Sequence, residues 1–186
     1  MAVVTRPASM TAADFIVWAQ QQGDRRFELE NGEPLELSAE KARHALAKHA
    51  TARALEDAID RTGLDCRVFP DGMTVVVNEQ TVRLPDAAVQ CTPFDLDSTV
   101  LAEPIILVEI VSPSSAYRDE NHKLAEYFTV PSVMHYLLVD PVGRRVVHFS
   151  RTGQPGRLDT RIVTEGTLTL APPDIEIAVL DLFGDI

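Results

Sequence analysis

Two acids and one lysine, Asp86, Glu109 and Lys123, have the types and settings that suit the binding of a divalent metal ion. Glu109 is the most informative, because it is the one charged residue in the run Ile105–Val111, which predicts a central strand covered on both faces. An unpaired carboxylate in such a strand would cost several kcal/mol or take up a proton. Glu109 therefore needs a partner, which could be an arginine, a ring of backbone N–H groups or a metal ion.

Asp86 directly follows the segment Val82–Pro85, and Pro85 lacks the N–H group that a strand ladder requires. The pattern predicts that Asp86 lies where a strand starts or bends. In one interpretation it is a turn-forming Asp that binds its own backbone. In the other it is a second metal-binding acid, since two carboxylates can hold a hard cation such as Mg²⁺ through their oxygens.

Lys123 is one of three lysines in the chain and falls in a segment with helical character. It could form a surface ion pair with Asp119, four residues earlier, which would contribute a few tenths of a kcal/mol. Alternatively, its ammonium group is directed at the two acids from the helix that follows the Glu109 strand. Tyr127 lies one turn further along the same face, where it could pack or hydrogen-bond beside Lys123.

Glu28 is a fourth candidate and lies in the segment Arg26–Leu37. Asn31-Gly32 between alternating residues predicts a two-residue hairpin turn, which places Glu28 opposite Leu35. A glutamate in a hairpin is usually solvated. The functional interpretation adds it to the two acids already identified.

Several other chemistries are excluded by missing motifs. The chain has no G-x-G-x-x-G after a strand, no G-x-x-x-x-G-K-[ST], no H-E-x-x-H and no G-x-S-x-G. His44 and His49 are five residues apart on a predicted helix, so they point to different faces and disfavour a zinc site. Cys66 and Cys91 form no C-x-x-C pair, which excludes a zinc knuckle and makes a disulfide framework improbable.

Size and charge fit one domain over residues 1–186 that is cytoplasmic and not a membrane protein. The 186 residues carry 28 acidic and 17 basic side chains, for a formal net charge of −11. That charge argues against a general nucleic-acid coat protein but leaves room for a local basic groove. No apolar run is long enough to span a bilayer, and Met1–Thr11 lacks the apolar core of a signal peptide.

The elements that must position the candidate residues alternate between helices and strands, which predicts an α/β (α+β) fold with a mixed central sheet flanked by helices. Thr11 should cap a first helix that ends at Gly23, and Ser38 should cap a second helix over Ala39–Thr62. A third helix is predicted at Tyr117–Phe128. The tail should form a hairpin over Arg161–Leu170 and a capping segment over Ile175–Phe183. The predicted strands are Cys66–Phe69, Met73–Asn78, Val82–Val89, Ile105–Ser112, Val133–Asp140 and Arg144–Ser150.

The order of several segments resembles a known family. These segments are Arg26–Glu33, His44, Pro85-Asp86, Val108–Ser114, Asp119, Lys123, Tyr127, Tyr136 and Val139–Pro141. Over about residues 11–183 this order resembles the Uma-two family of endonucleases, which is similar to the restriction-endonuclease-like PD-(D/E)xK superfamily. The chain departs from the family pattern at Leu37–Ala39 and at Pro131–Leu137, where the rim of the site is expected.

The resemblance implies a metal-dependent endonuclease that hydrolyses DNA phosphodiester bonds with Mg²⁺ or Mn²⁺. By the family pattern, Asp86 and Glu109 bind the metal. Val111 occupies the position where the superfamily usually has its lysine, and Lys123 resembles the displaced lysine of the Uma-two pattern. Glu28 is similar to the extra upstream acid of the family.

The resemblance also implies an auxiliary place for His44, which matches a family histidine, while Tyr127 could support Lys123. By analogy with the superfamily, the protein is expected to act as a homodimer, because cleavage of a duplex needs two sites. Binding to DNA is expected to be weak and salt-sensitive at this net charge.

Two alternatives to an active nuclease remain open at this point. The first is a catalytically inactive nuclease-like module that binds or regulates, although such a module would not need Asp86, Glu109 and Lys123 together. The second is another hydrolase with paired carboxylates, such as a glycosidase. A single tryptophan and few other aromatic residues argue against a sugar-binding platform.

Overall fold

A computed structural model describes residues 9–111 and 119–184 of the chain. The first half of this part contains α1 (Ala12–Gln20), β1 (Phe27–Glu30), β2 (Glu33–Glu36), α2 (Ala42–Thr62), β3 (Arg67–Pro70), β4 (Val75–Asn78), β5 (Thr81–Arg83), β6 (Ala87–Gln90) and β7 (Pro104–Ile110). The second half contains α3 (Asp119–Tyr127), β8 (His135–Asp140), β9 (Arg145–Arg151), β10 (Leu158–Val163), β11 (Thr167–Leu170), β12 (Ile175–Ala178) and a 3₁₀ turn (Val179–Leu182). The predicted start of the third helix at Tyr117 and the predicted strand end at Ser112 lie outside the described residues.

Local signals determine where several of these elements begin and end. The hydroxyl of Thr11 accepts a hydrogen bond from the Asp14 N–H at 3.2 Å, so the predicted cap of α1 is confirmed. Asn31 and Gly32 have φ values of 49° and 81°, which is the turn that the hairpin of β1 and β2 needs. The prediction that Ser38 caps α2 is wrong. The Leu37 N–H continues the hairpin by donating to the Arg26 carbonyl at 2.9 Å, and α2 begins only after Lys41.

The central element is a six-stranded mixed sheet in the order β10-β9-β8-β7-β6-β3. Strands β7 and β8 are its parallel pair, with Glu109 beside Leu138, and the other pairs are antiparallel. A parallel pair requires a crossover connection, and α3 lies in the connection between β7 and β8. The predicted fold class is confirmed in this sheet.

A second sheet of four strands, in the order β2-β1-β5-β4, was not predicted. It arises because the predicted strand Val82–Val89 is two strands, β5 in the four-stranded sheet and β6 in the six-stranded sheet. Pro85 has no N–H group to continue a ladder, and the chain changes sheets there. The Asp86 N–H then donates to the Val108 carbonyl at 2.9 Å, which places Asp86 beside β7.

Two further expectations about the elements are wrong. The segment Arg161–Leu170 is not a hairpin, because β10 already pairs with β9, while β11 pairs with β12 as a separate two-stranded sheet. Cys66 and Cys91 form a disulfide bond. Arg67 pairs with Gln90 in the antiparallel register of β3 and β6, which brings the two cysteines opposite each other, and this register cannot be read from their spacing of 25 residues.

The central strands β6, β7 and β8 of the six-stranded sheet are buried on both faces. On one face, Ile106, Val108 and Ile110 of β7 pack against α2 and the β11–β12 pair. On the other face, Leu107 packs with Tyr127 of α3 and neighbouring side chains. Because side chains alternate along a strand, Glu109 shares the second face with Leu107 and is directed towards α3. A third core joins α1 to the four-stranded sheet. No helix in the described ranges combines the length and apolar character needed to cross a membrane.

Candidate active site

A cavity of about 350 Å³ lies between the start of α2, the end of β7 and α3. Five of the six predicted site residues line it, and the sixth, Tyr127, is buried next to Glu109. The lining residues are Arg26, Glu28, Leu37, Ser38, Ala39, Glu40, Lys41, Arg43, His44, Leu84, Asp86, Glu109, Ile110, Val111, Lys123, Pro141 and Val142. Residues from distant parts of the sequence, including the four charged candidates, therefore share one opening.

Asp86 is 8% exposed and is held on both of its oxygens. Oδ2 accepts a hydrogen bond from the Ile110 N–H at 2.7 Å, while Oδ1 lies 3.2 Å from His44 Nε2 and 3.5 Å from Lys48 Nζ. Burial would raise the pKa of Asp86, but the hydrogen bonds from His44 and Ile110 and the nearby positive charges together lower it. The side chain binds the neighbouring strand, so the interpretation of Asp86 as a turn-forming residue does not hold.

Glu109 is partnered by a lysine and a tyrosine rather than by an arginine. Its side chain is 15% exposed, and Oε1 accepts hydrogen bonds from Lys123 Nζ at 2.9 Å and from the Tyr127 hydroxyl at 2.6 Å. Burial raises the pKa of Glu109 to about 7, with contributions from the charges of Asp86 and Glu28, against the opposing effect of Lys123. Burial and the neighbouring negative charges therefore oppose the ionisation of Glu109, and Lys123 favours it.

Lys123 connects two of the acids. Its Nζ donates to Glu109 Oε1 at 2.9 Å and to Glu28 Oε1 at 3.2 Å, and its side chain is 14% exposed. Burial lowers the pKa of Lys123, but the charges of the two glutamates outweigh burial and raise the pKa above its ordinary value. The ammonium group is therefore part of the cavity wall, and the interpretation of Lys123 as a helix-surface residue does not hold.

Glu28 is 5% exposed, although a hairpin glutamate is usually solvated. The predicted register opposite Leu35 is confirmed, and it turns Glu28 towards the seam between the two sheets. Its carboxylate accepts hydrogen bonds from the Leu84 N–H and from Arg83 Nη1, both at 3.1 Å, in addition to Lys123. Glu28 is therefore a buried acid that is paired with both Arg83 and Lys123.

The start of α2 contributes a second set of polar side chains. His44 is the predicted member, and its pKa is raised mainly by the hydrogen bond to Asp86. Lys48 and Glu40 were not predicted: Lys48 Nζ donates to Glu40 Oε1 at 2.6 Å and to Asp71 Oδ2 at 2.7 Å. The spacing of His44 and Lys48, four residues apart on one helix face, is the sequence signal that could have identified Lys48.

Arg83 is another unpredicted residue of this region. Its side chain is 4% exposed and donates to Glu28 and, through Nε and Nη2, to both carboxylate oxygens of Glu126 at 2.7 and 2.8 Å. Burial lowers the pKa of Arg83, but the hydrogen bonds and charges of the two glutamates raise it above its ordinary value. The sequence around Arg83 offers no signal for these contacts, because both partners are more than 40 residues away.

The local basic groove that the sequence leaves room for is only partly present. Lys41 and Arg43 line the cavity and are exposed. Arg26 also lines it but is paired with Asp71 and Glu40, and Arg25 is paired with Glu36. The positive charge that faces a ligand thus comes mainly from the first turn of α2.

Two proteins of Synechocystis are similar to much of this chain. The chain is 28% identical over 170 residues to the uncharacterized protein sll1609 of Synechocystis, covering 89% of this chain and 94% of that protein. A second Synechocystis protein, the uncharacterized slr1290, is 26% identical over 132 residues, covering 70% of this chain and 68% of that protein.

A crystal structure described as a putative nuclease belonging to DUF820 from Anabaena variabilis has the same fold. It superposes with a TM-score of 0.73 at 14% identity, covering 94% of this chain and 97% of that chain. The predicted restriction-endonuclease-like fold is confirmed by this match. A family model described as "Uma2: Putative restriction endonuclease" matches residues 12–181. The chain therefore belongs to the Uma2 family.

Proposed function

We propose that this protein is a metal-dependent endonuclease that hydrolyses phosphodiester bonds in DNA. The observation that carries the proposal is the meeting of Asp86, Glu109 and Lys123 at one cavity, with Lys123 Nζ 2.9 Å from Glu109 Oε1. Membership of the Uma2 family supports the same reaction class. Two acids and a lysine are the groups that metal-assisted attack on a phosphate requires.

The donor set of the cavity fits a hard divalent cation. Ligand atoms of Glu40, His44 and Asp86 lie within 4.8 Å of one another, and Glu109 borders the same cavity. Because carboxylates outnumber imidazoles in this set, Mg²⁺ or Mn²⁺ suits it better than a softer metal. Asp86 and Glu109 are the proposed ligands, His44 of α2 lies 3.2 Å from Asp86, and Glu40 precedes this helix.

Each residue then has a definite part in hydrolysis. When bound, the metal ion would polarise the phosphoryl group and lower the pKa of a coordinated water. Lys123 would orient the attacking water and offset the negative charge that grows on the phosphate oxygens. Tyr127 holds Glu109 in place by donating a hydrogen bond of 2.6 Å, and Glu28 holds Lys123 by accepting one of 3.2 Å.

Lys41 and Arg43 are the proposed contacts to the DNA backbone, since both are exposed at the cavity. The net charge of −11 makes this binding weak and salt-sensitive. Cleavage of both strands of a duplex would need two sites, so the proposed active form is a homodimer acting in the cytoplasm.

A second candidate function is a nuclease-like module without catalytic activity. It is favoured by one observation: Asp86 and Glu109 already have internal cationic partners, in Lys48 and Lys123. Such a protein would be stable without metal and would gain little from binding it. Metal binding therefore discriminates between the two candidates.

The proposal is tested by incubating supercoiled plasmid with the protein and Mg²⁺ or Mn²⁺, with and without a chelator. The wild type is expected to nick or linearise the plasmid only with metal. Asp86→Asn and Glu109→Gln should abolish cleavage, because each removes one anionic ligand without changing side-chain size. Asp57→Asn and Glu56→Gln, exposed on α2, are the matched controls and should cleave normally.

Calorimetry with Mn²⁺ supplies a readout that does not depend on cleavage. We expect Asp86→Asn and Glu109→Gln to weaken metal binding at least about tenfold. Equal metal affinity in the wild type and both variants would remove these residues from the metal site. Tight metal binding with intact plasmid would support the inactive module instead.

A further inference from the structure

The side chain of Arg83 joins the four-stranded sheet to α3, the helix that carries Lys123. Arg83 is the last residue of β5 in the four-stranded sheet, whereas α3 packs on the six-stranded sheet through Tyr127. Its planar fork binds Glu126 of α3 through two hydrogen bonds of 2.7 and 2.8 Å, and its remaining nitrogen binds Glu28 at 3.1 Å. A guanidinium that is 4% exposed and binds two different elements is held in one geometry.

These contacts continue into the cavity as a chain of alternating charge. The order is Glu126, Arg83, Glu28, Lys123 and Glu109, with each neighbour joined by an ion pair of 3.2 Å or less. This series of ion pairs begins on α3 at Glu126 and reaches the same helix again at Lys123, one turn earlier. The ion pairs of Glu126 and of Lys123 therefore both depend on the position of α3.

The competition for Glu28 explains why Arg83 matters for Lys123. Glu28 accepts hydrogen bonds from Arg83, from the Leu84 N–H and from Lys123. Without Arg83, Glu28 would be a nearly buried anion with Lys123 as its remaining cation, and it would draw the ammonium group away from Glu109. Glu126 would at the same time lose both hydrogen bonds that fix α3.

We propose that Arg83 is a positioning residue, which fixes Glu28 and α3 relative to each other so that Lys123 Nζ stays against Glu109. A lysine could not replace it, because an ammonium group lacks the planar fork that reaches both glutamates. The consequence for cleavage rests on the proposed nuclease function, whereas the placement of Lys123 does not.

The placement is tested by the chemical reactivity of the lysines, since the chain has only Lys41, Lys48 and Lys123. Brief acetylation with an amine-reactive reagent, followed by mass spectrometry, reports each one separately. In the wild type Lys41 should react fast, and Lys48 and Lys123 slowly. In Arg83→Gln and Glu126→Gln, we expect the rate at Lys123 to rise several-fold while Lys48 stays slow.

Lys48 is an internal control in this experiment, because global loosening would expose both buried lysines. Thr51→Val is the control for stability: it removes a buried hydrogen bond of 2.9 Å to the Leu182 carbonyl, away from α3. It should leave the reactivity of Lys123 unchanged. If Arg83→Gln does not fold, Glu126→Gln decides the question, since it removes only the charge at the partly buried outer end of the charge chain.

In the plasmid assay, Arg83→Lys and Glu126→Gln should lower kcat at least about tenfold with KM little changed, as expected for a misplaced group. Unchanged Lys123 reactivity in the folded variants would overturn the inference, and so would a loss of kcat no larger than that of Thr51→Val. A wild type that does not cleave DNA would refute the proposed function, and the acetylation rates would still decide the role of Arg83.

Discussion

Each buried acid of the cavity lies beside at least one basic side chain. Glu109 is paired with Lys123, Asp86 lies near His44 and Lys48, and Glu28 is bound by Arg83. Removing one member of such a pair leaves an uncompensated charge in a poorly hydrated place, which costs more than the lost hydrogen bond itself. The stability of the protein and its affinity for cations should therefore be linked through these residues.

Lys123→Met is the direct test of this linkage. In the absence of metal, we expect a loss of about 3 kcal/mol in the free energy of unfolding, because Glu109 and Glu28 lose their shared cation. Mg²⁺ should restore part of that loss, since a bound dication can replace the missing positive charge. Urea unfolding with and without Mg²⁺ measures both effects, and Lys41→Met is the exposed control.

Two results would contradict the prediction for Lys123→Met. If Lys123→Met unfolds at the same urea concentration as the wild type, its ammonium group does not balance the two glutamates. If the variant is destabilised but Mg²⁺ gives no recovery, the cavity does not hold a cation next to Glu109.

At the scale of elements, the strands β8 and β9 carry a buried pair of neutral histidines. His135 Nε2 donates to the Pro172 carbonyl at 2.8 Å, so its Nδ1 accepts from His148 Nε2–H at 2.9 Å. Burial lowers the pKa of His135, and burial together with the charge of His135 lowers the pKa of His148 to about 4. His135 cannot take up a proton at Nδ1 without losing the hydrogen bond from His148.

The pair predicts a loss of stability in mild acid. The unfolded chain binds a proton at His148 below its ordinary pKa of 6.5, whereas the folded chain binds it only near 4. Stability should therefore fall as the pH drops from about 6.5 to 4, by about 3 kcal/mol for this residue. His148→Gln can still donate to His135 but does not titrate, so the pH dependence over this range should flatten. An unchanged slope would contradict the assignment, and His49→Gln, exposed on α2, is the control.

The disulfide between β3 and β6 gives a second prediction for an element. It closes a loop of 25 residues, and constraint of such a loop in the unfolded chain corresponds to about 3 kcal/mol. Cys66→Ala combined with Cys91→Ala should lower the free energy of unfolding by about that amount under oxidising conditions. The wild type should lose the same amount on reduction, while the double variant should not respond to reductant. Equal stability of the two oxidised proteins would contradict this prediction.

Local sequence signals predicted much of this architecture and the acids of the cavity. Asn31-Gly32 determined both the hairpin and the register of Glu28, and the apolar run around Glu109 indicated a buried carboxylate that needs a partner. Apart from the cap of α2 and the missed Lys48, the wrong or missing predictions concern contacts between distant segments. The change of sheet at Pro85, the register that joins Cys66 to Cys91, and the reach of Arg83 to Glu126 depend on packing that no local pattern encodes.

At the scale of the whole molecule, the net charge opposes the proposed substrate. A formal charge of −11 repels a phosphate backbone, so productive binding must come from the few exposed cations at the cavity. Lys41 and Arg43 lie at its edge, and the acids within would be neutralised in part by a bound metal ion. Metal binding and DNA binding are therefore expected to reinforce each other.

The small number of exposed cations at the cavity predicts the salt dependence of DNA binding. Lys41→Gln and Arg43→Gln should each lower affinity and reduce the slope of log affinity against log salt by about 1, since each removes one phosphate contact. Arg157→Gln, at the turn before β10, should leave the slope unchanged. Fluorescence anisotropy with a labelled duplex in Ca²⁺ is the measurement. Identical slopes in all four proteins would place the DNA-binding surface elsewhere.

The position of Lys123 has a consequence for how such enzymes are recognised. Its ammonium group reaches Glu109 from a helix 14 residues downstream, while Val111 occupies the strand position two residues after that acid. A shared charge centre is a point in space and not a place in the chain, so a lysine from a downstream helix can supply it. Motif searches that demand a basic residue at a fixed interval will overlook such proteins, whereas searches for a shared charge centre will find them.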